Sequence, residues 1–114
     1  ANLDYVILND AYLDRSDLSY ANITGSKLIG TSLFRATLFR ATLTYTFLTS
    51  ADLRQANLVY ANMGHSDLRW ANMLGARITG FYLEGSDLRW ATWTNGFICN
   101  SKEDGVCVYV KPTL

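Results

Sequence analysis

A five-residue pattern of apolar and polar positions runs from Ala1 to Asn95 without insertion or slip. The third place is apolar in all 19 pentads, and it is leucine in 14 of them. The first place is small, with 11 alanines and four serines, while the second place is Asn or Asp in nine pentads. The fourth and fifth places vary. Self-similarity of this kind predicts a repeat architecture in which each unit packs on its neighbours.

A period of five fits neither an α-helix nor a flat strand. Five residues advance a helix by about 500°, so successive leucines would point all round its axis. On a strand, an odd period would place them on alternate faces. They can all point inward only if the chain turns one corner per pentad, so that four pentads close a square coil of 20 residues. We therefore predict an all-β fold, a quadrilateral β-helix of about 4.75 coils.

Each place in the pentad then has an expected role. Leucine ladders should fill the interior, leaving no room for a ligand, and Asn or Asp at the second place should bond to backbone at a turn. Phe81 and Trp93 break the pattern near the carboxyl end, where they are expected to plug the open core; a local distortion of the last coil is the alternative. Glycine at a fifth place indicates a corner that needs conformational freedom. These glycines are Gly25, Gly30, Gly75, Gly80 and Gly85.

With A(D/N)LXX pentads over residues 1–95, the chain resembles the pentapeptide-repeat family. The resemblance implies a right-handed quadrilateral β-helix. The period stops at Gly96, and residues 97–99 and 106–110 are predicted to form two short strands joined by a polar turn. We therefore divide the chain into a repeat domain, residues 1–95, and a hairpin-like capping tail, residues 96–114. This tail resembles, more weakly, those of cyanobacterial and chloroplast members, several of which reside in the thylakoid lumen or periplasm.

Cys99 and Cys107 are the only cysteines, and both lie in the tail. They are eight residues apart across a predicted turn, so a hairpin can bring their Cβ atoms to bridging distance, and we predict a disulfide. Two free thiols serving as small apolar residues are the alternative. A disulfide favours an oxidising compartment, the thylakoid lumen or periplasm, whereas free thiols would favour the cytoplasm.

The charge balance argues against nucleic-acid and membrane partners. Ten basic residues offset ten acidic ones, so no overall field steers the molecule to nucleic acid or anionic lipid. No apolar run is long enough to be inserted into a membrane. Some members of the family regulate DNA gyrase by imitating duplex DNA, which makes a gyrase or topoisomerase regulator the alternative function. That mimicry needs a continuous acidic face, which this neutral chain lacks.

The sequence offers little material for catalysis. His65 precedes Ser66 and Asp67, but three side chains at a corner should diverge rather than form a catalytic triad. One histidine and no CxxC motif make a metal site improbable, and no glycine-rich phosphate motif is present. We expect no catalytic residue, no metal ligand and no cofactor. The predicted function is a non-catalytic structural or protein-interaction module.

The candidate interaction surface combines aromatic and basic residues. Trp70 and Trp90 occur in identical SDLRWA segments one coil apart, so their indoles should stack with Arg69 and Arg89 beside them. Trp and Arg are enriched at binding hot spots, although a ladder that only supports itself is the alternative.

A second candidate comprises outward Phe34, Arg35, Phe39 and Arg40, as a contact for a partner or another copy. The partner is expected to be a protein, and the sequence does not identify it. The chain begins in phase at Ala1, so the first coil should expose open core. An end-to-end homodimer or an upstream domain would cover it.

Overall fold

The computed structural model describes residues 2–100 and Cys107. Second-place residues pair in parallel with the second-place residue 20 positions later, as Asn2 does with Asn22 and Lys27 with Phe47. Each contact is a single bridge, and the described residues form neither an extended strand nor a helix. The 20-residue register confirms the predicted β-helix, because each square coil lies directly on the preceding one.

Backbone hydrogen bonds between coils repeat in every side of the square. The third-place N–H of Leu28 donates to the carbonyl of Phe47 at 2.7 Å, and the second-place N–H of Lys27 donates to the carbonyl of Val6 at 2.9 Å. Neighbouring coils therefore satisfy each other's polar backbone groups, which a buried backbone requires.

The corners are turns whose third residue is left-handed. Every fifth-place residue from Tyr5 to Trp90 has a φ between 56° and 77°, and 13 of these residues are not glycine. In most turns the first-place N–H donates to the third-place carbonyl before the corner, as Ala51 does to Leu48 at 3.0 Å. A positive φ at the third residue is the requirement of a type II turn.

Glycine at a corner makes room for a side chain of the preceding coil. A Cβ on Gly25 would stand 2.6 Å from Cε1 of Tyr5, and a Cβ on Gly75 would stand 3.3 Å from Cγ of Gln55. The other three glycine corners face the side chain 20 positions earlier in the same way. Conformational freedom, the reason expected from the sequence, does not distinguish glycine from the 13 other left-handed corner residues.

The second-place Asn and Asp residues cap the corners, as predicted. In each case Oδ1 accepts the N–H of the residue two positions later, which lies at the start of the turn. This short-range bond satisfies a backbone donor that the coils above and below do not reach. The nine residues are Asn2, Asp17, Asn22, Asp52, Asn57, Asn62, Asp67, Asn72 and Asp87.

The core consists of the third-place ladders with small first-place residues between them. Third-place side chains from Ile23 to Met73 are buried, with at most 2% of their surface exposed. Phe81 and Trp93 are partly buried and pack on this core near its carboxyl end, the position expected of plugs.

The expectation that leucines fill the whole interior is wrong near the amino-terminal end. An apolar cavity of about 240 Å³ lies there, where the leucines of the first coil are only partly buried. Its lining residues are Leu3, Leu8, Leu13, Leu18, Ile23, Leu28, Leu33, Leu38 and Leu43.

The chain reverses over the last coil after Asn95. Ile98 pairs antiparallel with Thr92, and the N–H of Cys99 donates to the carbonyl of Ala91 at 2.8 Å. Cys99 is fully buried, and the structure places it in a disulfide with Cys107, with a Cα–Cα distance of 5.0 Å. The predicted turn and second strand, residues 102–105 and 106–110, lie outside the described residues apart from Cys107.

A candidate protein-binding surface

Asp-Leu-Arg segments fix the orientation of arginine side chains at the corners. Asp67 accepts hydrogen bonds from Nε of Arg69 at 2.9 Å and from Nη2 at 2.7 Å. Asp87 accepts Nη2 of Arg89 at 2.6 Å in the same geometry. Because the same aspartate also caps the turn, the backbone and the guanidinium of each segment are held together. Fork-like pairing of this kind gives directional, charge-assisted hydrogen bonds.

The indoles of Trp70 and Trp90 stack along one corner of the rod. Their ring centroids are 4.9 Å apart and their planes are inclined by 16°. The two residues are 57% and 43% exposed, so a large part of each remains open to solvent. The guanidinium of Arg89 lies 5.4 Å from the Trp90 ring. We call the two tryptophans together with Asp67, Arg69, Asp87 and Arg89 the tryptophan ladder.

The charged residues of the tryptophan ladder stay ionised together. The side-chain hydrogen bond from Arg89 lowers the pKa of Asp87. At Asp67 burial works to raise the pKa, but the hydrogen bonds from Arg69 outweigh it and the pKa is lowered. Hydrogen bonding to these carboxylates raises the pKa of both arginines. The ladder is therefore an ordered surface whose charges cancel locally.

Phe34 leaves the core as predicted, but it is half-buried rather than open. The guanidinium carbons of Arg15, Arg35 and Arg54 lie 5.9, 5.3 and 5.0 Å from its ring centroid. We call these three arginines and Phe34 the arginine cluster. The sequence prediction did not include Arg54, although its position 20 residues after Phe34 places it directly above the ring.

Phe39 is half-buried for a similar reason. The guanidinium of Arg40 lies 5.5 Å from its ring centroid, while Tyr20 and Tyr60 contact it edge-on at centroid distances of 5.6 and 6.3 Å. The two phenylalanines therefore support arginine side chains and do not form an open apolar patch.

The His65, Ser66 and Asp67 side chains diverge. The His65 ring stacks on Tyr45 with centroids 5.1 Å apart and planes inclined by 13°. The Ser66 hydroxyl is buried and donates to the carbonyl of Leu43 at 2.7 Å. Asp67 is bonded to an arginine, so these three residues do not form the hydrogen-bonded chain that nucleophilic catalysis requires.

Among the residues that the structure describes, no three His, Cys, Asp or Glu side chains are grouped so that they could hold a metal ion. No helix in residues 2–100 has the length and apolar character needed to cross a bilayer.

Serine hydroxyls replace the direct turn bond at one corner of the rod, a feature that the sequence reasoning missed. The N–H of Val6 donates to Oγ of Ser26 at 3.1 Å, and that hydroxyl donates to the carbonyl of Leu3 at 2.8 Å. Ser66 and Ser86 bridge the corresponding turns two and three coils further along. The available signal was a column of hydroxyls 20 residues apart, formed by Ser26, Thr46, Ser66 and Ser86.

A shallow groove of about 710 Å³ follows this corner. Aromatic side chains of Tyr45, Phe47 and His65 line it, and so do Arg69 and Arg89 of the tryptophan ladder. The exposed indoles and the groove therefore belong to one continuous side of the rod.

The proteins of known structure that are similar to the chain include two pentapeptide repeat proteins and a fluoroquinolone resistance protein. A pentapeptide repeat protein from the thylakoid lumen of Arabidopsis thaliana is 30% identical with a TM-score of 0.58, over 76% of this chain and 64% of that one. HetL is a pentapeptide repeat protein of the cyanobacterium Nostoc that is involved in heterocyst differentiation regulation. It is 35% identical with a TM-score of 0.44, over 85% of this chain and 42% of that one. QnrB1, a plasmid-mediated fluoroquinolone resistance protein, is 19% identical with a TM-score of 0.55, over 72% of this chain and 46% of that one.

The chain thus spans between 42% and 64% of the length of these proteins. No curated protein sequence matches it. The family model described as Pentapeptide repeats matches residues 1–33 and 36–75 as eight copies, more than half of the chain. Together with the 20-residue register and the capped corners, this match establishes that the chain belongs to the pentapeptide-repeat family.

Proposed function

We propose that the protein is a non-catalytic interaction module, which presents one rigid side of its β-helix to a protein partner through the tryptophan ladder. The observation that carries the proposal is the stack of Trp70 on Trp90, half-exposed on left-handed corners that the coils hold in place. Large aromatic residues and arginine dominate the binding energy of protein interfaces. Because the stack and the Asp–Arg bonds already order these side chains, association loses little conformational entropy.

The position of the tryptophan ladder supports a binding role over a purely self-supporting one. A ladder that served only to cover backbone would have its rings flat against the coil, whereas Trp70 keeps 57% of its surface exposed. The adjoining groove with Tyr45 and Phe47 extends the apolar area along the rod. An aromatic centre with locally neutralised charges suits the core of an interface, where unpaired charges are depleted.

The proposal includes the architecture that carries this surface. Residues 1–95 form the repeat domain of about 4.75 coils, and residues 96–114 form the cap. The fold of the family, a right-handed quadrilateral β-helix, supports the first part. The antiparallel pairing of Ile98 with Thr92 and the disulfide geometry of Cys99 and Cys107 support the second.

We place the protein in the thylakoid lumen or periplasm. The cysteine pair fits an oxidising compartment. The likeness to a pentapeptide repeat protein of the Arabidopsis thylakoid lumen, at 30% identity, supports the same assignment.

Affinity capture with a matched control tests the binding surface. Immobilised chain is incubated with a thylakoid-lumen or cyanobacterial extract, and captured proteins are cross-linked, identified and then purified for titration. Trp70→Ala/Trp90→Ala should weaken binding of the purified partner by at least about thirtyfold, the scale of a hot spot. The control Tyr12→Ala/Tyr20→Ala removes two residues that are 88% and 66% exposed and lie outside the ladder and its groove, and should bind as the parent does. Equal affinity of all three proteins would overturn the proposal.

A gyrase supercoiling assay tests the alternative function. Asp52, Asp67 and Asp87 each hold an arginine, so they do not present a bare acidic face. The interaction proposal therefore expects no inhibition by the purified chain. Inhibition at micromolar protein, unchanged in Trp70→Ala/Trp90→Ala, would favour the DNA-mimic function instead.

A further inference from the structure

The arginine cluster concentrates positive charge without full compensation. Arg15, Arg35 and Arg54 come from three successive coils and converge on one phenyl ring, with guanidinium carbons at 5.9, 5.3 and 5.0 Å from its centroid. Arg54 is bonded to Asp52 through Nε and Nη2, both at 2.8 Å. Within the described part of the chain, neither Arg15 nor Arg35 forms an ion pair.

This arrangement differs from that of the tryptophan ladder in one respect. Arg69 and Arg89 each have their own aspartate, so their hydrogen-bonding edges are occupied. In the arginine cluster, Arg35 donates Nε to the neutral side chain of Gln55 at 2.8 Å. Asp14 lies one coil below Phe34, so Asp14 and Asp52 together supply two carboxylates for three guanidiniums. The cluster keeps an excess positive charge and free N–H groups.

Phe34 orders these free groups. The cation–π attraction holds each guanidinium near the ring, and the N–H groups that do not face the ring remain available to other acceptors. The planar edge of arginine matches the two oxygens of a carboxylate. Arg15 and Arg35 occupy the same corner of successive coils, which are stacked at roughly 4.8 Å, so both can donate to carboxylates of one bound chain.

We infer that the arginine cluster binds carboxylates of an acidic segment of a protein partner, with Arg15 and Arg35 as the ligating residues. Phe34 positions the guanidiniums, and Arg54, held by Asp52, closes one side of the site. An open face with several guanidiniums suits a chain that carries more than one carboxylate. The site lacks the concave ring of backbone N–H groups that characterises enclosed phosphate sites. It is separate from the tryptophan ladder, so either surface can fail its test without the other.

The test uses purified chain and a synthetic hexaglutamate peptide, so that it needs no native partner. The peptide is titrated into ¹⁵N-labelled protein at low and at physiological salt, and the Nε–Hε signals of the arginines are followed by NMR. We expect saturable shifts of Arg15 and Arg35. Arg15→Gln/Arg35→Gln should weaken binding at least about tenfold, because two charge-assisted contacts are lost. Phe34→Leu, which keeps an apolar side chain without the ring face, should weaken it several-fold.

The control Lys27→Gln/Arg77→Gln removes the same two charges at exposed positions outside the cluster. It should retain most of the affinity, apart from the general effect of net charge. Should the glutamine variant fail to fold, Arg15→Lys/Arg35→Lys keeps the charge and loses only the planar fork, and weaker binding than that of the parent is expected.

Three results would overturn the inference. The absence of a saturable shift in the parent chain would mean that the arginines only cover Phe34. An equal loss of affinity in the control variant and the cluster variant would reduce the effect to net charge. Equal or tighter binding of inorganic phosphate in a parallel titration would make the cluster a site for free oxyanions and not for an acidic segment.

Discussion

The imidazole ring of His65 lies across the backbone of Gly85, where an added Cβ atom would stand 2.7 Å from Cε1 of the ring and closer still to Nδ1. The same relationship joins each glycine corner to the corner residue 20 positions earlier. The corner side chains below these five glycines therefore lean toward the carboxyl end of the rod, over backbone that carries no Cβ.

Gly85→Ala should destabilise the protein more than Gly75→Ala does. Both glycines are left-handed, with φ of 77° and 74°, so both substitutions incur about 1–2 kcal/mol of backbone strain. Only Gly85→Ala must also displace a ring, because the nearest contact at Gly75 is a Gln55 carbon at 3.3 Å. Denaturant unfolding should show that Gly85→Ala lowers the free energy of unfolding by about 1 kcal/mol more than Gly75→Ala does. In the double variant His65→Ala/Gly85→Ala this extra loss should disappear. If the losses of the two single variants simply add in the double variant, the explanation is contradicted.

Ser66→Ala should test the hydroxyl bridge at the opened corner. The Ser66 hydroxyl accepts the N–H of Thr46 at 3.1 Å and donates to the carbonyl of Leu43 at 2.7 Å. Removing it leaves the buried N–H of Thr46 without its acceptor, whereas the Leu43 carbonyl still accepts Oγ1 of Thr46 at 2.8 Å, and the expected cost is about 1–3 kcal/mol in the free energy of unfolding. Ser16→Ala, at the same place of a pentad in the first coil, should change stability by less than about 0.5 kcal/mol. No loss in Ser66→Ala would show that the turn closes directly, as most turns of the rod do.

Asp87→Asn should separate the ion pair from the turn cap, because the asparagine amide oxygen can still accept the N–H of Arg89. The folded pKa of Asp87 is lowered, so its contribution is fully present above the unfolded value of about 3.9. It is lost as the pH falls through the lower folded pKa. At neutral pH the variant should be less stable by up to about 1 kcal/mol, since exposed pairs are screened by water.

Urea unfolding at constant ionic strength should show that this difference shrinks toward zero in strong acid. Asp4→Asn is the control, since Asp4 forms no ion pair within the described residues. A difference between parent and Asp87→Asn that does not depend on pH would exclude the ion pair as its cause.

Leu48→Ala should be more destabilising than Leu8→Ala, although both residues belong to one ladder. Leu48 is fully buried with coils on both sides, and its truncation should cost about 2–5 kcal/mol. Leu8 is partly buried and borders the existing apolar cavity, so in this chain its loss should cost less than about 2 kcal/mol. Equal costs, measured by chemical denaturation, would mean that the first coil is as tightly packed as the middle of the rod.

The cysteine pair can be tested directly on native protein. Alkylation followed by non-reducing mass spectrometry should find no free thiol and one peptide linking Cys99 to Cys107. Closing the nine-residue loop should stabilise the tail by roughly 2.5 kcal/mol on the chain-entropy model. Cys107→Ser should therefore leave the repeat domain folded while the buried Cys99 becomes accessible to alkylation. Two alkylatable thiols in the parent would remove both the disulfide and the argument for an oxidising compartment.

Much of the candidate surface could be worked out from the sequence, because the pentad length never changes. A constant 20-residue coil means that the axial neighbour of any residue is the one 20 positions away. The stack of Trp70 on Trp90 and the proximity of Arg54 to Phe34 follow from that arithmetic. The Asp67–Arg69 bond follows as well, since a second-place aspartate and a fourth-place arginine lie on the same side of one square edge.

The sequence by itself thus determined the coil, the inward leucines, the capped corners and the columns of outward residues, since all of these depend only on spacing and side-chain size. The tertiary structure alone decided how side chains of adjacent coils share space. It tilted His65 onto Gly85 and inserted the Ser66 hydroxyl into a turn. These outcomes depend on rotamers and on competition between hydrogen-bonding groups of neighbouring coils, and a repeat pattern carries no information about either.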